Sequence, residues 1–493
     1  MAVPFLALVI SLFSVTSPGH AQLRAGAAKS EITPDLSSGK VYLAGFGHNR
    51  LATAVHDPLY ARCVALESNH NLVVLCAADV IGLFYSDVER IRAYFRDQAP
   101  RGAQLVVACT HVHEGPDTIG LWGPSPIESG VDPVYLLKLE KQIAATAAQA
   151  ARSLQPARLR LARDEHPLLS QLQSVDRPPY VKDPRLLVMQ SVATDSGKAI
   201  ATVVNWSDHP ETLNRKNTEI TADYPGWICR RLEQQFGGVA VFFNRALGKV
   251  STLGSQVALL DPQTARVAED GGWRKPELLG STLADLAARA LMQAETVIPD
   301  ALTLKASIFS IPLKNERFLA AEAAGVFGDR RPLNSQGKAI PSRVEGETRG
   351  QAVTEARWQS ILTEIDYIEL KAGSHLLAEF VTIPGEAFPE VVNGGVERYP
   401  GADFPEASLE TPVTTILKSR YQFILGLGND EIGYIIPKAE WDEQAPWLNN
   451  SLQAYYGEIN SLGPDTAPAV VGALADLVRS ASRTPKYESG TGP

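Results

Sequence analysis

Strand-length apolar segments recur along this chain, and they limit the folds that it can adopt. Seven are clear from the sequence, at Tyr60–Glu67, Leu72–Ala78, Leu105–Cys109, Leu186–Val192, Ala199–Trp206, Val239–Asn244 and Leu377–Ile383. Between them, Ser86 and Glu89 have the spacing of a capping box, and an apolar stripe with helical periodicity runs from Pro133 to Leu154. Strands and helices that alternate in this way, with hairpins interspersed, predict a mixed α/β fold. We expect a single large domain with a central mixed sheet flanked by helices.

The first two strands form a predicted hairpin that brings two cysteines together. The turn Ser68-Asn69-His70-Asn71 joins them, and pairing Glu67 with Leu72 places Cys63 opposite Cys76. Four cysteines in 493 residues are too few for a disulfide scaffold. The hairpin therefore predicts that Cys63 and Cys76 are neighbours and leaves open whether they are bonded.

The two ends of the chain and one internal segment differ in composition from the rest. Residues 4–15 are apolar but too short to span a bilayer, and Gly19 and Ala21 suit a cleavage site, so residues 1–21 are predicted to be a secretory signal peptide, with a membrane-anchoring helix as the alternative. Residues 22–480 then form the main domain, and 481–493 a disordered tail. The polar segment from Asn315 to Ser360 is either a lid over the site or a linker. We expect a secreted or periplasmic protein.

The charge balance excludes some partners. The chain has 46 Lys and Arg residues against 55 Asp and Glu, a net charge of −9, and no basic cluster of the kind that binds nucleic acid. No later apolar stretch reaches the length of a membrane span. We therefore expect a small-molecule or lipid-like substrate, no nucleic acid and no integral membrane segment in the mature chain, and leave peripheral membrane contact open.

Candidate site residues follow the ends of several predicted strands, where α/β sheets build their sites. His111 and His113 come directly after Leu105–Cys109, and their spacing points both to one side if the chain stays extended. His209, Ser251 and Glu386 follow three other strands. Each of these residues alone is more often structural. Together, two histidines, a carboxylate and a further oxygen ligand would suit zinc.

Several motifs, in one order, resemble the zinc-dependent neutral/alkaline (non-lysosomal) ceramidase family. They are AGAAKSEITP, HDPLYARCVALE, THVHEGPD, NWSDHP, ITADYPG, the loop ending GKVS, IPGEAF, NDEIGYIIP and YYGEINSLGP, and they cover roughly residues 22–480. The resemblance implies one zinc ion per chain, bound by His111, His209, Glu386 and Tyr434. It also implies that His113 lies beside the substrate carbonyl and that Ser251 is the catalytic serine. The implied reaction is hydrolysis of an N-acyl amide to a fatty acid and an amine.

The chain departs from that family at two points. In the family's Gly-Asp-x-Ser loop the Asp is replaced by Lys249, and the Asn two residues before the Gly is replaced by Ala246. The family's C-terminal immunoglobulin-like domain is not expected in this chain. If the loop is extended, Lys249 faces the pocket and favours substrates with an anionic group; if the loop turns, Lys249 reaches solvent.

Three functions remain open from the sequence. The first is a zinc-dependent hydrolase of a linear amide, of ceramidase type. The second keeps the metal chemistry but acts on another ester, lactone or amide. The third is a non-catalytic binding protein derived from such an enzyme, which the changes at Lys249 and Ala246 would explain.

Overall fold

A computed structural model describes residues 23–175, 177–254, 256–328, 332–333 and 360–481. Within these ranges the strands are β1 (Arg24–Glu31), β2 (Ala54–Val55), β3 (Tyr60–Ser68), β4 (Asn71–Ala78), β5 (Gln104–Cys109), β6 (Gln155–Asp164), β7 (Ser174–Val175), β8 (Leu186–Ala193), β9 (Ala199–Trp206), β10 (Glu219–Ile220), β11 (Val239–Asn244), β12 (Val250–Ser251), β13 (Leu260–Asp261), β14 (Arg266–Val267), β15 (Glu295–Val297), β16 (Ala301–Pro312), β17 (Pro332–Leu333), β18 (Ser360–Ala372), β19 (His375–Ile383), β20 (Glu386–Ala387), β21 (Tyr421–Gly426) and β22 (Tyr434–Ile435). The α-helices are α1 (Tyr85–Arg96), α2 (Pro133–Arg152), α3 (Pro167–Gln171), α4 (Asp223–Phe236), α5 (Arg274–Leu291), α6 (Glu316–Ala323), α7 (Pro389–Asn393), α8 (Val413–Ile416), α9 (Tyr456–Ile459) and α10 (Thr466–Ala481). Two short 3-10 helices lie at Lys438–Glu440 and Leu448–Asn450.

Two mixed sheets pack face to face, with helices on both outer sides. The larger has the order β11-β9-β8-β6-β1-β3-β4-β5, with β15 paired to β6, and the smaller has the order β16-β18-β19-β21, with β17 paired to β18. Their inner faces share one apolar core, which includes Val203 and Phe243 from the larger sheet and Phe380 and Phe423 from the smaller one. Helices α1, α2, α4 and α5 cover the larger sheet, and α10 covers the smaller one. The predicted mixed α/β class is confirmed; the second sheet was not predicted.

The predicted hairpin of β3 and β4 has the expected register. Cys63 pairs with Cys76 across the strands, and the two residues form a disulfide. The two central residues of the turn, Asn69 and His70, have φ angles of 47° and 65°. A two-residue turn with both φ angles positive matches the right-handed twist of the strands, so this turn fixes the register that brings the cysteines together.

The two predicted helices form, but one starts differently. Asp132 caps α2 by accepting a hydrogen bond from the Val134 N–H at 2.9 Å. Phe84, and not Ser86, is the N-cap of α1, and the capping side chain is that of Asp87, which accepts from the Phe84 N–H at 2.8 Å. The predicted box of Ser86 and Glu89 is therefore wrong, because the helix begins two residues earlier than that box requires, which makes Asp87 the third helical position.

Some predictions fall wholly or partly outside the described residues. The signal peptide at residues 1–21 lies outside them, as does most of the segment from Asn315 to Ser360. The tail predicted at 481–493 also lies outside them except for Ala481, which is the last residue of α10. The beginning of that segment is described: Asn315 caps α6 by accepting hydrogen bonds from the N–H groups of Arg317 and Phe318. Within the described ranges, none of the helices combines the length and the apolar character that crossing a bilayer requires.

Candidate metal centre and active site

The loops that follow five strands meet at one place. These strands are β5, β9, β11, β19 and β21. Strand β11 pairs in parallel with β9, and β19 pairs in parallel with β21. A bridge between Ala108 in β5 and Gly428 after β21 joins the two sheets. Backbone and amide groups connect the loops through hydrogen bonds from Asn244 Nδ2 to Thr110 O at 2.6 Å, from His113 N to Pro210 O at 3.0 Å, from Gly248 N to Ala387 O at 2.9 Å and from Glu386 N to Gly433 O at 3.0 Å. The side chains that these loops present are therefore held by backbone of both sheets.

Three histidines converge here. The ring centroids of His111 and His113 are 5.2 Å apart, those of His111 and His209 are 5.1 Å apart, and those of His113 and His209 are 5.6 Å apart. The rings of His111 and His113 lie together as expected, but the expected reason, an extended chain, is wrong. His111 has a φ of 66°, in the left-handed region that a residue with a side chain seldom adopts. A turn at His111, with no extended segment, brings the two rings together, and such backbone strain is typical of functional sites.

Hydrogen bonds fix the orientation of two imidazoles. His111 Nδ1 lies 2.6 Å from Ile81 O, and His209 Nδ1 lies 2.6 Å from Val250 O, so each Nδ1 carries the hydrogen. The Nε2 atoms then face Glu386 Oε2, at 3.5 Å for His111 and 2.9 Å for His209. Two nitrogen lone pairs and a carboxylate oxygen directed at one another repel unless a cation lies between them. This donor set fits a metal ion, and backbone carbonyls that orient ligand histidines are common around metals.

The pKa shifts of His209 and Glu386 also indicate that a positive charge is required between these groups. Burial lowers the pKa of His209, but the hydrogen bond and charge of Glu386 outweigh it and raise this pKa to about 9. Burial raises the pKa of Glu386, but His111 and His209 outweigh it and lower this pKa to about 2. A proton on His209 and a metal ion are thus alternative ways to supply the charge that Glu386 requires.

Tyr434, the fourth expected ligand, lies against this group. Strand β22 runs parallel to β20, with Tyr434 opposite Glu386, and the Tyr434 ring lies 6.4 Å from that of His209. Burial, followed by the charge of Glu386, raises the pKa of Tyr434 well above its ordinary value. The phenol is therefore neutral unless a nearby cation stabilises the phenolate.

Ser251 and His113 share a carboxylate that the sequence did not reveal. The Ser251 hydroxyl donates a hydrogen bond to Glu211 Oε1, and Glu211 Oε2 lies 3.6 Å from His113 Nδ1. Burial, followed by the charges of His111 and His209, lowers the pKa of His113 well below its ordinary value, so this imidazole is neutral at pH 7. Glu211 directly follows the NWSDHP motif, two residues after His209, and this position was the only signal that could have found it.

Other donors surround the predicted set. Ligand atoms of His111, His113 and His209 lie within 4.8 Å of one another, as do those of His111, Glu386 and Glu431. Glu431 also accepts a hydrogen bond from the Gly433 N–H at 2.8 Å, and it was not predicted. His113 turns its Nδ1 toward Glu211, whereas His111 and His209 both turn Nε2 toward Glu386. The orientation of His111 and His209 toward Glu386 therefore favours the expected ligands, which include Glu386, over the group of three histidines.

A glycine makes room for His113. Gly45 has a φ of 97°, and a Cβ added to it would lie 2.3 Å from the His113 ring. Arg50 holds the same histidine from the other side of its backbone, because its guanidinium donates to the carbonyls of His113 and Ala44. Neither residue was predicted, although both lie near the predicted site.

Lys249 lines the cleft beside Ser251, but its charge is compensated. Its ammonium pairs with Glu390 and donates to Pro179 O at 2.5 Å, and it lies 5.3 Å from the centre of the Phe388 ring. Its side chain is only 5% exposed, so the alternative in which it reaches solvent is wrong. Ala246 is fully buried in the core on the outer face of the smaller sheet. Lys249 is thus a buried half of an ion pair and not a free positive charge beside the candidate metal centre.

Two connected spaces open on the site. The first is the smaller and is mainly apolar; His111, Glu386 and Tyr434 line it together with Ile81, Phe84, Ile119, Leu313, Phe318 and Phe327. The second is an open cleft of about 1030 Å³ that reaches His113, His209 and Ser251. Both spaces are bordered by His113 and Tyr434. A ligand bound at the candidate metal centre can therefore extend into either space.

Comparisons with known proteins identify the fold. A crystal structure of neutral ceramidase from Pseudomonas aeruginosa matches with a TM-score of 0.63 and 16% sequence identity, over 94% of this chain and 74% of that one. A ceramidase complexed with C2 matches with a TM-score of 0.65 and 15% identity, over 94% of this chain and 75% of that one. No family model matches the sequence, and no curated protein does. The resemblance expected from the motifs is therefore confirmed as a likeness of fold.

Proposed function

We propose that this chain is a zinc-dependent hydrolase that cleaves an N-acyl amide to a fatty acid and an amine. One observation carries the proposal: the Nε2 atoms of His111 and His209 converge on the Glu386 carboxylate, at the meeting point of an apolar channel and an open cleft. Nitrogen and oxygen donors together suit zinc. The two ceramidases that share the fold support an amide as the bond that is cleaved.

The residues of the chain have separate tasks in this reaction. When bound by His111, His209, Glu386 and Tyr434, zinc supplies Lewis acidity that polarises the substrate carbonyl. Ser251 offers a hydroxyl whose hydrogen Glu211 accepts, so its oxygen lone pair is free to face the carbonyl carbon. Neutral His113, next to Glu211, can hold or return a proton for the departing amine. Overall, the C–N bond of the amide breaks, and one water molecule supplies a hydroxyl group to the acyl carbon and a hydrogen to the nitrogen, which gives a fatty acid and an amine.

The shape of the site supports an acyl chain as one half of the substrate. The channel next to the metal ligands is lined by aliphatic and aromatic side chains, and burial of each methylene there contributes about 0.8 kcal/mol. The larger, open cleft, whose wall includes Glu211, Arg215 and Arg317, then receives the amine half. The Cys63–Cys76 disulfide supports an oxidising compartment, which agrees with our proposal of a secreted or periplasmic location.

The metal is tested by elemental analysis of the purified protein. We expect one zinc ion per chain, retained on dialysis, and loss of that zinc in His111→Ala, which removes a nitrogen donor, and in Glu386→Gln, which removes the negative charge of the carboxylate. His375→Gln is the matched control, since His375 is exposed at the start of β19, the same strand that leads to Glu386. Equal zinc content in all three variants would show that His111 and Glu386 are not zinc ligands.

The reaction is tested with a panel of N-acyl amides, esters and lactones. We expect amide hydrolysis that a chelator abolishes and added zinc restores, and we expect Ser251→Ala to lose it while keeping its zinc. Hydrolysis of esters or lactones without amides would redirect the proposal to another bond. Zinc binding with no hydrolysis of any substrate would favour a binding protein.

A further inference from the structure

The cleft beside the candidate metal centre is cationic, although the chain as a whole has a net charge of −9. Four permanent cations line it, namely Arg177, Arg215, Lys249 and Arg317. Among the described residues of its wall, the one carboxylate is that of Glu211, which accepts a hydrogen bond from Ser251. An excess of cations on one concave surface of an acidic protein focuses a positive potential there.

Two of these cations are already neutralised. Arg177 binds both oxygens of Glu458 at 2.8 Å, and Lys249 pairs with Glu390. Arg177 also lies 4.0 Å from the centre of the Tyr455 ring, so its guanidinium is fixed within the wall. Neither charge is therefore available to a ligand without breaking a buried pair.

The other two cations are available. Arg215 and Arg317 are exposed, and neither guanidinium has an ion pair or a hydrogen bond with another residue in the part of the chain that the structure describes. They come from different elements: Arg215 follows the His209 loop, and Arg317 lies in the first turn of α6. Both nevertheless line the same cleft as Ser251. A ligand in the cleft would meet two uncompensated guanidinium groups.

We propose that the amine half of the substrate carries an anionic group, which Arg215 and Arg317 bind. This inference rests on the proposed amide hydrolysis and names its substrate class: an N-acyl amino acid carboxylate or an N-acyl aminosulfonate, in place of a neutral N-acyl amino alcohol. The apolar channel holds the acyl chain, so the amine half occupies the cleft that these arginines line. Guanidinium groups bind carboxylates and other oxyanions through paired N–H donors.

The test compares substrates that share one acyl chain. N-lauroylglycine and N-lauroyltaurine are anionic, and N-lauroylethanolamine is neutral and similar in length. We expect zinc-loaded wild-type protein to have a higher kcat/KM for the anionic amides. Arg215→Gln and Arg317→Gln should each reduce that preference about 2- to 5-fold, the range for exposed ion pairs, and the double variant roughly 5- to 20-fold. Turnover of the ethanolamide should not change. The carboxylate and sulfonate arms identify which anion is preferred.

Controls separate this inference from the proposed function. Arg101→Gln removes an exposed arginine from the turn before β5, away from the cleft, and should leave the preference unchanged. Equilibrium binding of the same three amides is measured alongside turnover. Tighter binding of anionic amides that depends on both arginines, without hydrolysis, would uphold the inference and reject the proposed reaction. Hydrolysis of all three amides with equal efficiency, unchanged in the double variant, would overturn the inference and keep the reaction. Equal or undetectable binding of all three amides would also overturn it.

Discussion

A buried ion pair next to the His209 loop gives the sharpest test of how the fold holds the candidate metal ligands. Arg245, directly after β11, is fully buried, and its Nε donates to Asp183 Oδ2 at 2.8 Å. The same oxygen accepts from the Ser207 hydroxyl at 3.1 Å, two residues before His209. Asp183→Ala would leave the guanidinium of Arg245 buried with neutral acceptors only. Because breaking a buried pair from one side costs about 3–5 kcal/mol, we expect a loss of that size in the free energy of unfolding.

The assay is urea denaturation followed by tryptophan fluorescence, with an exposed pair of the same chemistry as the control. Arg231 and Asp285 pair at 2.7 Å, with side chains 47% and 55% exposed, so Asp285→Ala should cost at most about 1 kcal/mol. A double replacement of Asp183 by Leu and Arg245 by Met should recover part of the stability lost in Asp183→Ala, because the fully buried guanidinium is removed with its partner. Arg185, whose side chain is 15% exposed, still loses its contact with Asp183 Oδ1. Losses of equal size in Asp183→Ala and Asp285→Ala would refute the reasoning.

The pH dependence of that loss has a definite sign. Burial raises the pKa of Asp183, but the charges of Arg245 and Arg185 outweigh it and hold this pKa below its ordinary value. A carboxylate with a lowered pKa in the folded state contributes stability above its unfolded pKa of about 3.9, and that stability is lost only as the pH falls through the lower folded value. The difference between wild type and Asp183→Ala should therefore be constant from pH 8 to pH 5.

Three further predictions follow from other contacts. Ser251→Ala should lower kcat at least about 100-fold, as loss of an activated nucleophile does, with zinc content unchanged by elemental analysis; retained turnover would remove Ser251 from the reaction. Replacing Cys63 and Cys76 by Ser should lower the free energy of unfolding by about 3 kcal/mol, measured in urea against the oxidised wild type, because the disulfide closes a loop between residues 13 apart in sequence. The reduced wild type should be about as unstable as the double variant. Lys249→Asp should lower the free energy of unfolding by about 3–5 kcal/mol, since it places a second carboxylate against buried Glu390. The double variant Lys249→Met with Glu390→Leu should recover much of that loss. An unchanged urea midpoint in Lys249→Asp would contradict the pairing.

The sequence predicted the strands well because each is a short apolar run with a clear end. Val239–Asn244 and Ala199–Trp206 have the predicted bounds, and the Cys63–Cys76 register followed from the length of one turn. The pairing of the two sheets could not be predicted, since both of their faces are apolar and no local pattern states which strands share a sheet. The start of α1 was missed for a similar reason: Ser86 and Asp87 both have capping side chains, and tertiary packing decides between them.

Site residues could be predicted where the residue type itself points to a function. They could not be predicted where an ordinary side chain becomes important only through a neighbouring residue in the fold. His111, His209 and Glu386 stand after strand ends and lie together in the structure, whereas their assignment as zinc ligands remains a prediction. Glu211 and Glu431 are ordinary carboxylates in the sequence. They become notable only because the fold places the first beside Ser251 and the second beside His111.

Lys249 shows why a charge in a motif has to be judged with its surroundings. In the sequence it exchanges a negative charge for a positive one beside the candidate catalytic serine. In the fold, Glu390 from α7 compensates it and keeps the ammonium inside the wall of the cleft. A potential that selects anionic substrates must therefore come from cations without such partners. Arg215 and Arg317 meet that condition among the described cations of the cleft, so the preference for an anionic amine half should follow these two arginines and not Lys249.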